Sequence, residues 1–175
     1  MDKVLEAMGI RGFRWWRFDP DGGLRSPLRT FVSWTPDTNT ARCLASRRLL
    51  PWRVAETNHW GEAPQQSCTC GFYGLHDVPA EMPSSSIARA WRRETSRSGG
   101  PEGFVLGVAE GSGRTAIGAQ WWRAEFARVR ALYLAMGPGA DGLHRAAKRY
   151  GIPIYRDLDA FIRQWRPGRL LADVA

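Results

Sequence analysis

From Gly12 to Arg29 the chain reads GFRWWRFDPDGGLRSPLR, and this stretch restricts the fold more than any other. It spells a strand, a tight turn at Asp19-Pro20-Asp21-Gly22-Gly23, and a returning strand. Within the first strand Phe13, Trp15 and Arg17 alternate with Arg14, Trp16 and Phe18, so each face of the strand carries aromatic rings.

The pattern that follows extends this antiparallel theme. A short strand is expected at Phe31–Trp34, ended by the turn TPDTN. Residues 41–53, ARCLASRRLLPWR, carry Arg42, Arg47, Arg48 and Arg53 with no acid among them, and a proline- and glycine-rich surface loop then runs to Gln66. SCTCGFYGLH reads as another strand, interrupted by glycines. Ser84-Ser85-Ser86 caps a helix near 85–97 with Ile87 and Trp91 on its buried side and Arg89, Arg92 and Arg93 on other faces. SRSGGPEG, residues 96–103, is the expected flexible loop. FVLGVAEGSGRTAIG reads as a hairpin around Gly111-Ser112-Gly113.

Residues 120–134 stay open at this level. Trp122, Phe126, Val129 and Tyr133 fit helical spacing, whereas the aromatic and β-branched content fits a strand. Beyond them, Asp141 is expected to cap a helix over 141–150 with Leu143, Ala146, Ala147 and Tyr150 on one face, stopped by Gly151. Asp157 starts another over 157–166 with Leu158, Phe161, Ile162 and Trp165 as its buried stripe. The expected architecture is α+β, a single domain over residues 1–175 with antiparallel strands first and helices packed on them later.

Composition narrows the class. At 175 residues, 43% hydrophobic and 24% charged, the chain has the make-up of a soluble globular protein with a sizeable core. No apolar run approaches the roughly 20 residues that cross a bilayer, and MDKVLEAMGI is not a signal peptide, so a cytoplasmic protein without a membrane partner is expected. Of the 25 cationic residues only Lys3 and Lys148 are lysines, a bias that a GC-rich genome accounts for. Its distribution is a separate matter. Residues 1–87 hold 10 cations against 9 acids and residues 88–175 hold 15 against 8, which places nearly all of the +8 charge in the second half. Such asymmetry suits an anionic partner, nucleic acid or acidic protein.

Three cysteines are too few and too odd in number for a disulfide framework, and Cys68-Thr69-Cys70 lacks the spacing of a thioredoxin-like motif. On a regular strand both sulfurs would look to one side. Cys43 then offers a third thiolate, and His59 or His76 a fourth ligand, giving a Cys₃His zinc site of the structural type. The alternative is a set of reduced thiols in the core, where cysteine behaves as a small hydrophobe. The nine tryptophans, four of them in the doublets RWWR and WWRA, invite comparison with base-stacking platforms; core aromatics covered by arginine stems are the other reading. No nucleophile elbow, phosphate-binding glycine loop or zinc-protease helix occurs. Glu110 and Glu125 are expected to pair with nearby arginines, Arg114 and Arg123 among them.

Taken together, Leu24-Arg25-Ser26-Pro27, Trp34, Ala41-Arg42-Cys43, Ala63-Pro64, Cys68 to Tyr73, Trp122 to Ala127 and Tyr150 to Ile154 resemble a family of small, largely uncharacterised proteins of actinobacteria and their phages. The resemblance implies a strand for Trp122–Arg128 and ties Cys43 to the Cys-x-Cys pair as one set. It implies no enzymatic activity. The family carries a histidine two residues before Ala-Pro, where this chain has Gly61, with His59 the nearest replacement. The expected function is a non-enzymatic binding module with a zinc-type site at Cys43, Cys68, Cys70 and His59 or His76. Its anionic partner would be met by Arg42, Arg47, Arg48, Arg89, Arg92 and Arg93. A metal-dependent enzyme using the cysteine cluster and a phage-linked assembly protein are the alternatives.

Overall fold

The computed structural model describes residues 3–27, 32–43, 63–65, 68–78, 103–134 and 140–166. The elements are β1 (Lys3–Phe18), β2 (Leu24–Arg25), β3 (Asn39–Thr40), β4 (Phe72–Leu75), β5 (Gly103–Ile117), β6 (Trp121–Tyr133), α1 (Ala140–Tyr150), β7 (Ile154–Tyr155) and α2 (Leu158–Trp165). This is the expected mixture of strands and helices, dominated by one seven-stranded sheet, antiparallel except where β7 runs parallel to β6. Among the described residues no helix is long and apolar enough to cross a membrane.

Three long strands form the frame. β5 pairs with β1 along nearly its whole length and with β6 on its other side. β4 then pairs with β6 from Phe72↔Ala124 to Leu75↔Trp121, and with β1 at Phe13↔Leu75. The order β1–β5–β6–β4 therefore returns to β1, and the sheet closes on itself. A ring of so few strands has room for little, and the indole of Trp122, wholly buried, occupies it. Space is made by one glycine from each of the other strands. A Cβ at Gly12 or Gly74 would overlap the indole, and one at Gly111 would come within 2.5 Å of Cζ3.

That packing explains a departure from the sequence reading. Gly111-Ser112-Gly113 is no hairpin turn: β5 runs through it, and the chain reverses at Gly118–Gln120 instead. Gly111 is needed for Trp122, and Gly113, at φ +72°, lies where the β5–β6 register shifts between Ser112 and Thr115. The strand bends there rather than ending. The same irregularities resolve residues 120–134 as a strand. They break strict alternation, so the buried positions Trp122, Ala124, Ala127, Val129 and Ala131 lose the period of two that would mark a strand in sequence.

Both faces of the sheet are covered, as the aromatics of β1 require. Trp16 and Phe18 join Leu24, Trp34, Val105, Leu132, Leu143, Ala146 and Tyr150 in one core beneath α1. Phe13 joins Leu106, Val108, Ala131 and Phe161 in another beneath α2, with Trp15 and Trp165 at its margin. β7 carries the chain between these helices along the edge of β6.

α1 begins at Ala140, so Asp141 lies in its first turn rather than capping it. Its end follows the sequence: Gly151 at φ +62° donates to the Lys148 carbonyl and Ile152 to that of Ala147, a Schellman termination. The buried hydroxyl of Tyr150 donates to the Trp34 carbonyl at 2.7 Å and accepts from the Leu24 amide at 3.1 Å, which joins α1 to two strand segments. The Asp19–Gly23 turn docks on the same helix through Arg145 Nε, 2.6 Å from the Pro20 carbonyl.

Asp157 caps α2, its Oδ1 accepting from Asp159 and Ala160 amides. Phe161 is fully buried with Ile162 and Trp165 beside it, but Leu158 is 37% exposed and is no part of that buried stripe. At the expected strand Phe31–Trp34 only a single bridge forms, Ser33 to Arg25, and Phe31 falls outside the described residues. So does the expected helix at 85–97, together with the loop from 96 as far as Glu102.

Gly111→Ala drives a methyl group into Trp122 and Ala124, and such overpacking costs about 1–3 kcal/mol. Urea unfolding of Gly111→Ala is expected to show that loss. In a double-mutant cycle the loss shrinks when Trp122 is replaced by Phe, since the smaller ring releases the clash.

Candidate metal centre

Two segments supply the cysteines. Cys43 follows β3, whose register with β6 is extended by the Ala41 amide donating to the Glu125 carbonyl at 2.7 Å. The Asn39 side chain closes the preceding turn, bonding the Thr35 amide, the Thr35 and Asp37 carbonyls, and Ala127 of β6. Cys68 and Cys70 lie ahead of β4 in bent chain, not on a strand. Their sulfurs converge because the backbone turns, not through alternation.

The turn has visible supports. Ala63 and Pro64 are buried and joined by a cis peptide bond. Cys68 N donates to the Gln65 carbonyl at 3.1 Å, and the Tyr73 hydroxyl reaches back to the Thr69 carbonyl at 2.7 Å. Gly71, at φ +115°, faces Pro64 and the Ala124 carbonyl, where a Cβ would sit 3.2–3.3 Å away. From β6 the guanidinium of Arg123, only 3% exposed, donates through one nitrogen to the carbonyls of Cys68, Cys70 (3.2 Å) and Gln65 (3.4 Å). The rings of Trp121 and Tyr73 lie 5.2 and 6.0 Å from its central carbon.

As a result Cys43, Cys68 and Cys70 present three sulfurs that all lie within 4.8 Å of one another, each half-buried. Cys43 Sγ is 3.7 Å from Cys68 Sγ, far from the roughly 2.05 Å of a disulfide. Zn–S bonds of about 2.3 Å at tetrahedral angles require sulfurs about 3.8 Å apart. The Cys43–Cys68 edge has the length that one ion needs, and a set of three thiolates suits zinc and other thiophilic metals over magnesium or calcium. Burial pushes the Cys70 thiol up to about 12, against an opposing backbone hydrogen bond at Gln65 and with added repulsion from Cys68 and Cys43. In the absence of a cation Cys70 therefore holds its proton; a bound metal reverses that preference.

The remaining expected site residues are placed elsewhere or lie outside the described residues. His76 follows β4 at the end remote from Cys70. Its Nε2 is 3.0 Å from the Gly118 carbonyl, at the β5–β6 reversal, and it does not join the sulfur cluster. The shared-face argument for His76 required an unbroken strand from Cys68, which Gly71 interrupts. His59 lies outside the described residues, as do Arg47, Arg48, Arg89, Arg92 and Arg93. Arg42 is exposed beside Cys43.

Glu125 meets Arg114 at 3.3 Å, and Glu110 meets Arg11 at 3.1 Å and Arg130 at 3.6 Å. Arg123, expected among those pairs, instead turns to the cysteine loop. It is the site residue that sequence reasoning missed. Its position between Trp122 and Ala124 was the available signal, since both neighbours are small or aromatic core residues and Arg123 must take the opposite face.

The described tryptophans also depart from a stacking platform. Trp16, Trp34 and Trp122 are buried, and Trp15, Trp121 and Trp165 are half-buried. Arg14 lies over Trp34 and Trp16, and Arg11 over Trp165. Comparison with known proteins found no matching family model, curated protein or solved structure.

Because the folded Cys70 thiol ionises well above its unfolded value of about 8.5, its stabilising contribution is complete below that pH and is lost as pH rises toward about 12. Metal-free protein in chelator is expected to lose thermal stability across this alkaline window. A Cys70→Ser variant, lacking the thiol, should show a smaller alkaline decline in parallel melts.

Proposed function

We propose that this chain is a non-enzymatic binding module in which zinc, held by Cys43, Cys68 and Cys70, fastens the loop before β4 to the end of β3. The observation that supports this reading is the convergence of three sulfurs from segments 25 residues apart. Closed thiolate sites of this kind contribute folding free energy directly. His59 is the histidine left to complete a Cys₃His set, since His76 is engaged at Gly118 and His144 is exposed on α1.

The partner of such a module is anionic. The charge surplus of the second half and the exposed cations Arg145, Lys148 and Arg149 on α1, with Arg156, Arg163 and Arg166 around α2, support that part of the reading. Because the described tryptophans are engaged in packing, charge rather than base stacking would drive recognition. Nucleic acid and acidic protein both meet that requirement. The resemblance to small actinobacterial and phage proteins belongs to the same proposal.

Protein purified without added metal is expected to carry about one zinc per chain by elemental analysis, with Cys43→Ser, Cys68→Ser and Cys70→Ser each losing it. Chelation should lower the melting temperature, and His59→Ala should weaken retention if the fourth ligand is that histidine. Fully folded, metal-free protein that binds no added zinc would return the cysteines to the core. A DNA or RNA complex that weakens steeply with salt would identify nucleic acid as the partner; no binding at low salt would leave acidic protein.

A further inference from the structure

We infer that Arg123 is the counter-cation and positioning residue of a tris-thiolate metal centre. The inference rests on the metal reading above. Three thiolates around a divalent ion leave one net negative charge, and Arg123 brings one positive charge to the backbone of that loop.

The case begins with the cost of burying this side chain. At 3% exposure the guanidinium has lost most of its water, and its Nε is buried with no hydrogen-bond partner. One of its terminal nitrogens bonds the carbonyl oxygens of Gln65, Cys68 and Cys70, which satisfy N–H groups but do not neutralise charge. Among the described residues no carboxylate pairs with it. The acid two positions along β6, Glu125, is bonded to the Arg114 amide and guanidinium. A buried, uncompensated cation costs several kcal/mol. A neighbouring anion removes that cost, and the anion the loop can form is the metal-bound thiolate set.

The geometry also specifies why arginine suits the position. One nitrogen of the guanidinium reaches three carbonyls of the turn, which brings its charge to the backbone that carries Cys68 and Cys70. Bonds to the carbonyls of both Cys68 and Cys70 set the direction in which their Cα–Cβ bonds leave the turn. The strand register Tyr73↔Arg123 brings the base of the side chain beside the start of β4. Trp121 and Tyr73 then flank the guanidinium and exclude water. Arg123 would act on metal through the ligands it holds, as partners of ligating residues commonly do, where their loss weakens affinity about 10–100-fold.

Cobalt(II) titration of Arg123→Lys, Arg123→Gln and Arg123→Met against wild type tests this, with thiolate-to-cobalt charge-transfer absorption as readout. Wild type is expected to bind cobalt with that band. Gln and Met should lose at least about tenfold in affinity, and Lys should recover most of it because it restores charge. The band is expected to shift in Gln and Met, which a purely architectural role would not produce. A variant unfolded without metal is titrated in the same way with far-UV circular dichroism as a second readout. Lys and Gln binding equally well, or all variants binding within about twofold of wild type, would overturn the role of Arg123 while leaving the metal site intact. Failure of wild type to bind cobalt would instead overturn both.

Discussion

The placement of everything else depends on one indole in a narrow ring. Trp122 projects into a closure of β1, β5, β6 and β4 that admits a side chain only because Gly12, Gly74 and Gly111 have none. A residue on β6 that faces inward obliges its neighbour to face outward. Arg123 therefore reaches the turn ahead of β4, and the turn it holds is the one that carries Cys68 and Cys70. The cysteine cluster is in this sense a consequence of how the ring is filled. Moving β6 by one residue would exchange an arginine for a tryptophan on both sides of the sheet.

The two faces of the sheet have divided roles. Beneath α1, Tyr150 joins the helix to Leu24 and Trp34, so the β1–β2 turn, the segment before β3 and α1 are bound as one unit. β3 continues from that unit to Cys43. Beneath α2 the contacts are aromatic, with Phe161 against Phe13, Tyr133 and Tyr155 at ring separations of 5.5–5.8 Å. Arginines recur at the boundaries between these cores and solvent. Arg14 spans Trp34 and Trp16 and donates to the Tyr73 carbonyl at 2.8 Å; burial lowers its pKa to about 10, and it remains cationic near neutrality. Arg11, Arg14, Arg17 and Arg123, each over an aromatic ring, thus act as packing material with a charge at the tip.

Local signals were legible in the sequence where one residue decides one event. The alternation through Phe13–Phe18, the stop at Gly151, the cap at Asp157 and the apolar face of α1 all appear where the residues place them. The association of Cys43 with Cys68 and Cys70 was also legible. Signals that depend on distant partners were not. Gly111 and Gly113 look like a turn in isolation, and only Trp122, across the ring, shows why β5 continues through them. Bulges in β6 gave a strand part of a helical spacing, which left residues 120–134 undecided in the sequence. The convergence of Cys68 and Cys70 was expected from strand alternation, whereas it arises from the bend before Gly71, and that difference removes His76 from the cluster. Arg123 was expected to pair with Glu110 or Glu125 because its three carbonyl partners belong to a turn that sequence alone does not shape.

The central claim is that Cys43, Cys68 and Cys70 bind one ion together. X-ray absorption at the zinc edge on zinc-loaded protein reads the sulfur count directly. The account predicts three sulfurs at about 2.3 Å with one nitrogen or oxygen donor at about 2.0–2.1 Å. A shell made only of nitrogen and oxygen, or one with a single sulfur, would contradict it.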